Sequence, residues 1–184
     1  MPILPLEKGN FTTIYADPPW PEIGGGVIKR GADKHYNLMS VDEIKLMGTE
    51  IKRVTQDNSH CYLWATNNYL HHALHVMESW GYMYKTTITW AKDRIGLGQY
   101  FRGQTEHCLF GVRGNIPYRV KPDGLRAQGT TLIIAPRTEH SVKPEKMREY
   151  IELVSPGPYL ELFSRVESPN WASFGNQIIT KRLL

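Results

Sequence analysis

Four residues, Asp17-Pro18-Pro19-Trp20, follow directly on the β-prone run Thr13-Ile14-Tyr15-Ala16. Proline fixes φ and carries no N–H, so two in succession cannot continue a sheet ladder. A strand must therefore end at Ala16 and pass into a stiff loop. In α/β sheets ligands collect beyond the carboxyl ends of strands, which is where such a loop lies.

The loop offers one carboxylate, two proline carbonyls and one indole face, a set that suits a flat base with an exocyclic amino group. Asp17 and the Pro18 carbonyl can each accept a hydrogen from the amine, and Trp20 can stack on the ring. An aromatic amine is a poor nucleophile because its lone pair is delocalised. Two acceptors drawing it towards tetrahedral geometry would localise that pair and aim it at an electrophile, by positioning and electrostatics. The plainer alternative is a tight turn with a buried Trp.

At 184 residues the chain reads as a single domain, 1–184, with 41% hydrophobic and 22% charged residues. Its net charge of +4 permits a polyanionic partner without requiring one. Cys61 and Cys108 lie in apolar β-like runs without a C-x-x-C pair, as buried thiols of an intracellular protein would. No signal peptide or membrane-spanning run is evident, so the expectation is a cytoplasmic protein (host cytoplasm, for a phage-encoded one) without a membrane partner.

Along the chain, Gly24 to Lys34 reads as a flap carrying Lys29, Arg30 and Lys34 rather than a phosphate cradle, since no Lys-Ser/Thr ends it. Ser40 and Glu43 form a capping box for a helix from Val41 to Met47. A buried strand follows at Ser59–Thr66, and Asn67 or Asn68 is expected to cap a helix that buries Leu70, Ala73, Leu74 and Met77. His71 and His75 have zinc-like spacing, but no Glu follows His71 and no third ligand is evident. The expectation is a solvated face and no metal.

Strands are expected at Tyr84–Trp90, Glu106–Arg113, Thr131–Ala135 and Tyr159–Phe163, with a glycine-rich loop from Lys92 to Gly103. The basic excursion 114–130, flanked by Arg113 and carrying Arg119, Lys121 and Arg126, leans towards phosphate contact. Pro144 is placed at the first position of a helix whose buried face is Met147, Tyr150, Ile151 and Val154. Lys143 then stands at the positive end of the helix dipole, where a cation calls for an anionic partner, a carboxylate or phosphate. Strands alternating with helices predict an α/β domain with a mainly parallel sheet.

Five blocks occur in order: Asp-Pro-Pro-Trp; Glu-His-Cys-Leu-x-Gly-Val-Arg-Gly-Asn; His-Ser-Val-Lys-Pro-Glu; Leu-Glu-Leu-Phe-Ser-Arg; and Asn-Trp-x-x-x-Gly-Asn-Gln. Together they resemble the adenine-N6 methyltransferases with the DPPW motif, whose eukaryotic members include the catalytic subunit of the mRNA adenosine methyltransferase. The resemblance covers Asp17 to about Ile178. It implies a Rossmann-like S-adenosylmethionine-dependent methyltransferase fold with the β-class, permuted motif order, in which the catalytic loop precedes the methyl-donor half.

By motif position the resemblance implies catalytic roles for Asp17, Pro18, Pro19 and Trp20, with Asp17 meeting both the target amine and the donor's ammonium. Lys143 would meet the donor's carboxylate. Arg165, Asn176 and Gln177 would hold its adenosine, with Glu161 and Phe163 shaping the pocket. Tyr36, Glu106 and Ser141 match positions on the acceptor side. Where the family often continues Pro-His-Asn after Arg165, this chain reads Val166-Glu167-Ser168, so no cofactor contact is carried onto Glu167 or Ser168.

The reading is S-adenosylmethionine-dependent methylation of adenine N6 in DNA by direct methyl transfer. Duplex DNA would need base flipping, at roughly a few kcal/mol. DNA is preferred to RNA because the zinc-finger and helical regions of the mRNA enzyme are missing, which leaves target recognition to loops, a second copy or a paralogous subunit. The alternatives are an RNA adenosine-N6 methyltransferase and a non-catalytic nucleic-acid-binding subunit of such a complex.

Overall fold

The computed structural model describes residues 8–22, 38–98, 100–138, 142–165 and 167–175. In chain order the elements are β1 (Phe11–Ala16), α1 (Val41–Leu46), α2 (Gly48–Val54), β2 (Thr55–Ala65), α3 (Leu70–Ser79), β3 (Met83–Ala91), β4 (Thr105–Arg113), β5 (Leu132–Ile134), α4 (Glu145–Val154), β6 (Tyr159–Leu162) and β7 (Trp171–Phe174). The strands form one sheet in the order β5-β3-β4-β2-β1-β6-β7. β4 pairs antiparallel with both β2 and β3, while every other pairing is parallel.

Strand alternation divides the core between two faces. Ile14 and Ala16 of β1 join Cys61, Leu63 and Ala65 of β2 beneath α1, α2 and α3. Tyr15, Tyr62 and Trp64 face the opposite way, with Trp90 and with Met147 and Ile151 of α4. Both cysteines are buried and unbridged. No helix among the described residues is long and apolar enough to cross a membrane.

The capping box is present: Ser40 Oγ accepts from the Glu43 N–H, and Glu43 accepts from the Ser40 N–H. Two local expectations are corrected, and a third is narrowed to Lys121 and Arg126. Neither Asn67 nor Asn68 caps α3, because Asn67–Tyr69 makes a turn of 3-10 helix and Tyr69 takes the cap position without a side-chain bond. Pro144 is the residue before the first helical position of α4, with extended ψ. Two arginines of the basic segment already have partners within the chain. Arg113 donates to Thr55 Oγ1 at 2.6 Å and to the Gln56 carbonyl at 2.5 Å. Arg119 donates to the carbonyls of Glu152 and Ser155 at the end of α4, where a cation complements the helix dipole.

Register brings the strand ends that matter to one rim. Ala16 lies level with Leu63 on one side and Leu162 on the other. Asp17 and Phe163 therefore leave adjacent parallel strands side by side. Because β4 runs backwards, its first residues reach the same rim, with Glu106 opposite Trp90.

Candidate active site

The loop after β1 is held at nearly every residue. The Pro18 carbonyl accepts from the Trp20 N–H at 2.8 Å, and the Pro19 carbonyl from the Met39 N–H at 3.0 Å. The Trp20 indole donates to the Trp64 carbonyl at 2.9 Å, Tyr69 Oη donates to the Pro21 carbonyl at 2.8 Å, and Thr66 donates to Glu22. Trp20 is only 5% exposed, with its ring stacked on Tyr69. In this structure the indole braces the loop against the end of β2 and presents no open face. One lone pair of the Pro18 carbonyl remains for another donor.

Beside this loop, charges alternate in sign. Lys143 Nζ donates to Asp17 Oδ2 at 2.7 Å and lies 3.2 Å from Glu106 Oε2. The other oxygen of Glu106 accepts from Lys92 Nζ. Aromatic faces flank the cations: Lys143 Nζ is 5.4 Å from the Trp64 ring centroid, and Lys92 Nζ is 4.9 Å from that of Trp90. The anion that Lys143 calls for is thus supplied by two side chains of the protein.

The protonation balance follows from burial and from these partners. Burial pushes the Asp17 carboxyl above its usual range, with Lys143 acting against it. Burial pushes Glu106 the same way, but Lys143 and Lys92 together hold it below the ordinary value. Burial lowers the Lys143 ammonium, and Asp17 and Glu106 outweigh it, so the net shift is upward and the group stays charged.

A second ion pair lies under the end of β6. Arg148 of α4 grips both carboxylate oxygens of Glu161, at 2.9 and 2.7 Å. Burial still raises the Glu161 carboxyl, against the pull of Arg148. Immediately beyond, Phe163 has φ of 62°, a left-handed conformation uncommon for a non-glycine residue. Ser164 donates its N–H to the Phe174 carbonyl at 3.1 Å. A Cβ on Gly175 would lie 2.1 Å from the Ser164 carbonyl oxygen, so only glycine lets the two backbone segments approach this closely. Arg165 is near enough to Asp17 to favour its ionised form.

Of the residues expected at the site, the structure gathers Asp17, Lys143 and Glu106 into one charge cluster and sets Glu161, Phe163 and Arg165 along the neighbouring strand end. Tyr36, Ser141, Asn176 and Gln177 lie outside the described residues, as do Lys29, Arg30 and Lys34 of the expected flap. His71 and His72 pack ring against ring on α3, at 3.8 Å between centroids. Among the described residues no three His, Cys, Asp or Glu side chains are placed to hold a metal ion. Sequence reasoning missed Lys92 and Arg148. The signal for each was only a lone cation beside a strand or on a helix, and its carboxylate partner lies on the next strand, 14 positions on for Lys92 and 13 for Arg148.

The sheet order, its single reversed strand and a charged loop after β1, ahead of the β6 strand end, together define a Rossmann-like methyltransferase fold in the β-class order. The MT-A70 family profile matches residues 11–177, and the chain belongs to the MT-A70 family. It is 30% identical over 197 residues to the type II methyltransferase M.MunI of Mycoplasma sp, covering 96% of this chain and 81% of that protein. It is 32% identical over 187 residues to the human N(6)-adenosine-methyltransferase catalytic subunit METTL3, covering 92% of this chain and 28% of METTL3. The likeness to a putative N(6)-adenosine-methyltransferase of Medicago truncatula is 30% over 191 residues, again 28% of that protein's length. MT-A70 methyltransferases depend on S-adenosylmethionine.

Proposed function

We propose that this chain is an S-adenosylmethionine-dependent methyltransferase of adenine N6 in DNA. The observation that carries the reading is the ion pair of Lys143 and Asp17, 2.7 Å apart beside a braced loop. A cation and a carboxylate side by side are the complement of an α-amino-acid end, whose carboxylate would turn to Lys143 and whose ammonium to Asp17. The Ser164–Gly175 approach, which a Cβ would close, and the left-handed Phe163 suit a ligand lying across the ends of β6 and β7. These residues fit the donor, which when bound supplies an electrophilic methyl.

On the acceptor side, the free lone pair of the Pro18 carbonyl and the Asp17 carboxylate take the two hydrogens of the adenine amine. Pro19 and Trp20 keep these acceptors still, which is how positioning lowers a barrier without covalent chemistry. An amine that gains a methyl must release a proton. Asp17, whose carboxyl burial makes more basic than usual, would receive it. Glu106 steadies Lys143 from the far side and lines the entry for the base.

DNA is preferred because M.MunI, a type II methyltransferase, is the relative above that the chain spans most fully. RNA is the alternative, since the same amine chemistry serves both and METTL3 is named for adenosine. The test is incubation with methyl-labelled donor and single- and double-stranded DNA and RNA, followed by nucleoside analysis. N6-methyladenine in DNA is the expected product. Labelled RNA alone would move the assignment to RNA, and no labelled adenine in any substrate would overturn it.

A further inference from the structure

Between β3 and β4 the described residues 92–98 and 100–104 make an arm held by hydrogen bonds. The Lys92 N–H donates to the Gln104 carbonyl at 2.9 Å, and the Gln104 amide donates back to the Lys92 carbonyl at 3.0 Å. Higher up, the Gly96 N–H bonds the Gly103 carbonyl at 2.6 Å, and the Gly103 N–H bonds the Leu97 carbonyl at 3.0 Å. Arg102 Nε closes on the Gly96 carbonyl at 2.9 Å. The turn is narrow: a Cβ on Gly98 would lie 2.0 Å from the Phe101 carbonyl oxygen. Asp93 anchors the base by accepting from the Arg137 N–H at 2.7 Å.

At the tip, Tyr100 is 93% exposed and Phe101 92% exposed. A folded chain gains nothing by holding two adjacent aromatic rings in water. Arg94, Arg102 and Arg137 are all exposed around the arm, against one acid, Asp93, which is already engaged. Exposed rings among arginines are the chemistry of a base-stacking platform, in which the cations meet phosphates and the rings meet base faces. The foot of the arm is the charge cluster itself, through Lys92 and Glu106. Phe101 is five residues from Glu106, so at about 3.3 Å per residue the tip reaches no more than roughly 17 Å from that foot, or about five nucleotide steps along a strand.

We propose that this arm, residues 93–98 and 100–103, is a substrate contact, in which Tyr100 and Phe101 stack on unpaired bases within about five positions of the target adenine. This rests on the reading of the chain as a nucleic-acid methyltransferase and sharpens it. The acceptor is a single strand, or a duplex opened at that point. It also gives the loop between β3 and β4 a task distinct from the amine chemistry of Asp17.

The test compares the full chain with Tyr100→Ala/Phe101→Ala. The substrates are single-stranded and duplex oligonucleotides of about fifteen nucleotides carrying one adenine, with 2-aminopurine within about five positions of it, and a trinucleotide centred on adenine. For the long single strand, KM is expected to rise roughly ten-fold or more in the variant, as lost stacking implies. The 2-aminopurine quenching should disappear, while kcat and the trinucleotide KM stay as in the parent. An effect on single strand and duplex alike indicates a duplex opened by the enzyme; an effect confined to the single strand indicates a single-stranded acceptor.

Equal KM values for the long strand would overturn the proposal. So would an equal loss on the trinucleotide, or a variant that sediments as a monomer where the parent is a dimer, since the rings would then cover a protein partner. If the parent methylates nothing, the wider reading fails. The arm is then judged by oligonucleotide anisotropy alone, where equal binding by parent and variant refutes it.

Discussion

Lys143 and Asp17 lie 126 positions apart in sequence, yet the ammonium of one touches the carboxylate of the other at 2.7 Å. Glu106 shares the same ammonium from the other side at 3.2 Å. The cation is therefore divided between a carboxylate on the loop after β1 and one at the start of β4. Either can release it to a ligand without leaving the charge unpaired.

Asp17→Asn should keep the fold, because Lys143 retains Glu106 and the loop retains its backbone bonds. Methyl transfer should fall by about a hundred-fold or more, the scale on which loss of one preorganised polar group is felt. Turnover with labelled donor, beside a circular dichroism melt, checks both halves. Undiminished turnover would falsify the role given to Asp17.

Lys92→Met removes one of the two cations that hold Glu106 below the usual carboxylate range. Burial then acts against Lys143 alone, so the Glu106 carboxyl rises. A carboxylate is lost as pH falls through its folded pKa. The acid limb of kcat/KM should accordingly move to higher pH in this variant and return towards its original position in Lys92→Arg. An unmoved limb in Lys92→Met would mean that Lys92 does no more than fill space.

Arg148 and Glu161 form a buried bidentate pair with side chains 17% and 12% exposed. Arg148→Met strands the carboxylate and should cost about 3 kcal/mol in urea denaturation, the usual scale for a buried charge left alone. Arg148→Met/Glu161→Gln should recover most of that loss. A double variant as unstable as the single would show that packing, not charge, is what Arg148 contributes.

His60 is 7% exposed, and its Nδ1 is 2.8 Å from Ser155 Oγ. Burial holds the imidazole down to about 4. The folded protein keeps it neutral while the unfolded chain protonates it near 6.5, so the unfolded state binds more protons between these values. Stability is present above about pH 6.5 and is lost as pH falls towards 4, by about 3 kcal/mol from this group. His60→Gln should flatten the difference between melts at pH 7 and pH 4.5. An unchanged slope would exclude His60 as the source.

Much of this architecture is legible along the chain. Asp17-Pro18-Pro19 ends β1 at the expected residue because proline cannot pair, and Ser40 with Glu43 starts α1 because the capping box is local. Helix α2 and strand β7 escape such reasoning. Gly48 to Val54 carries no start signal, and Trp171–Phe174 is too short to show alternation. The reversal of β4, the burial of Trp20 and the partners of Glu106 and Glu161 are contacts between distant segments, which no local propensity encodes. The likeness of the blocks named Lys143 and Glu106, but not that each would be neutralised by the other.

A strand laid head-to-tail among six companions has a topological effect on the rim. Six strands bring chain ends there and one brings a beginning, so Glu106 arrives at this rim within a strand rather than out along a loop. Its carboxylate is carried by the second residue of β4, paired across to Trp90, where ladder bonds leave the backbone little freedom to drift. The Lys143 ammonium is thereby met by a strand residue on one side and by a proline-stiffened loop on the other.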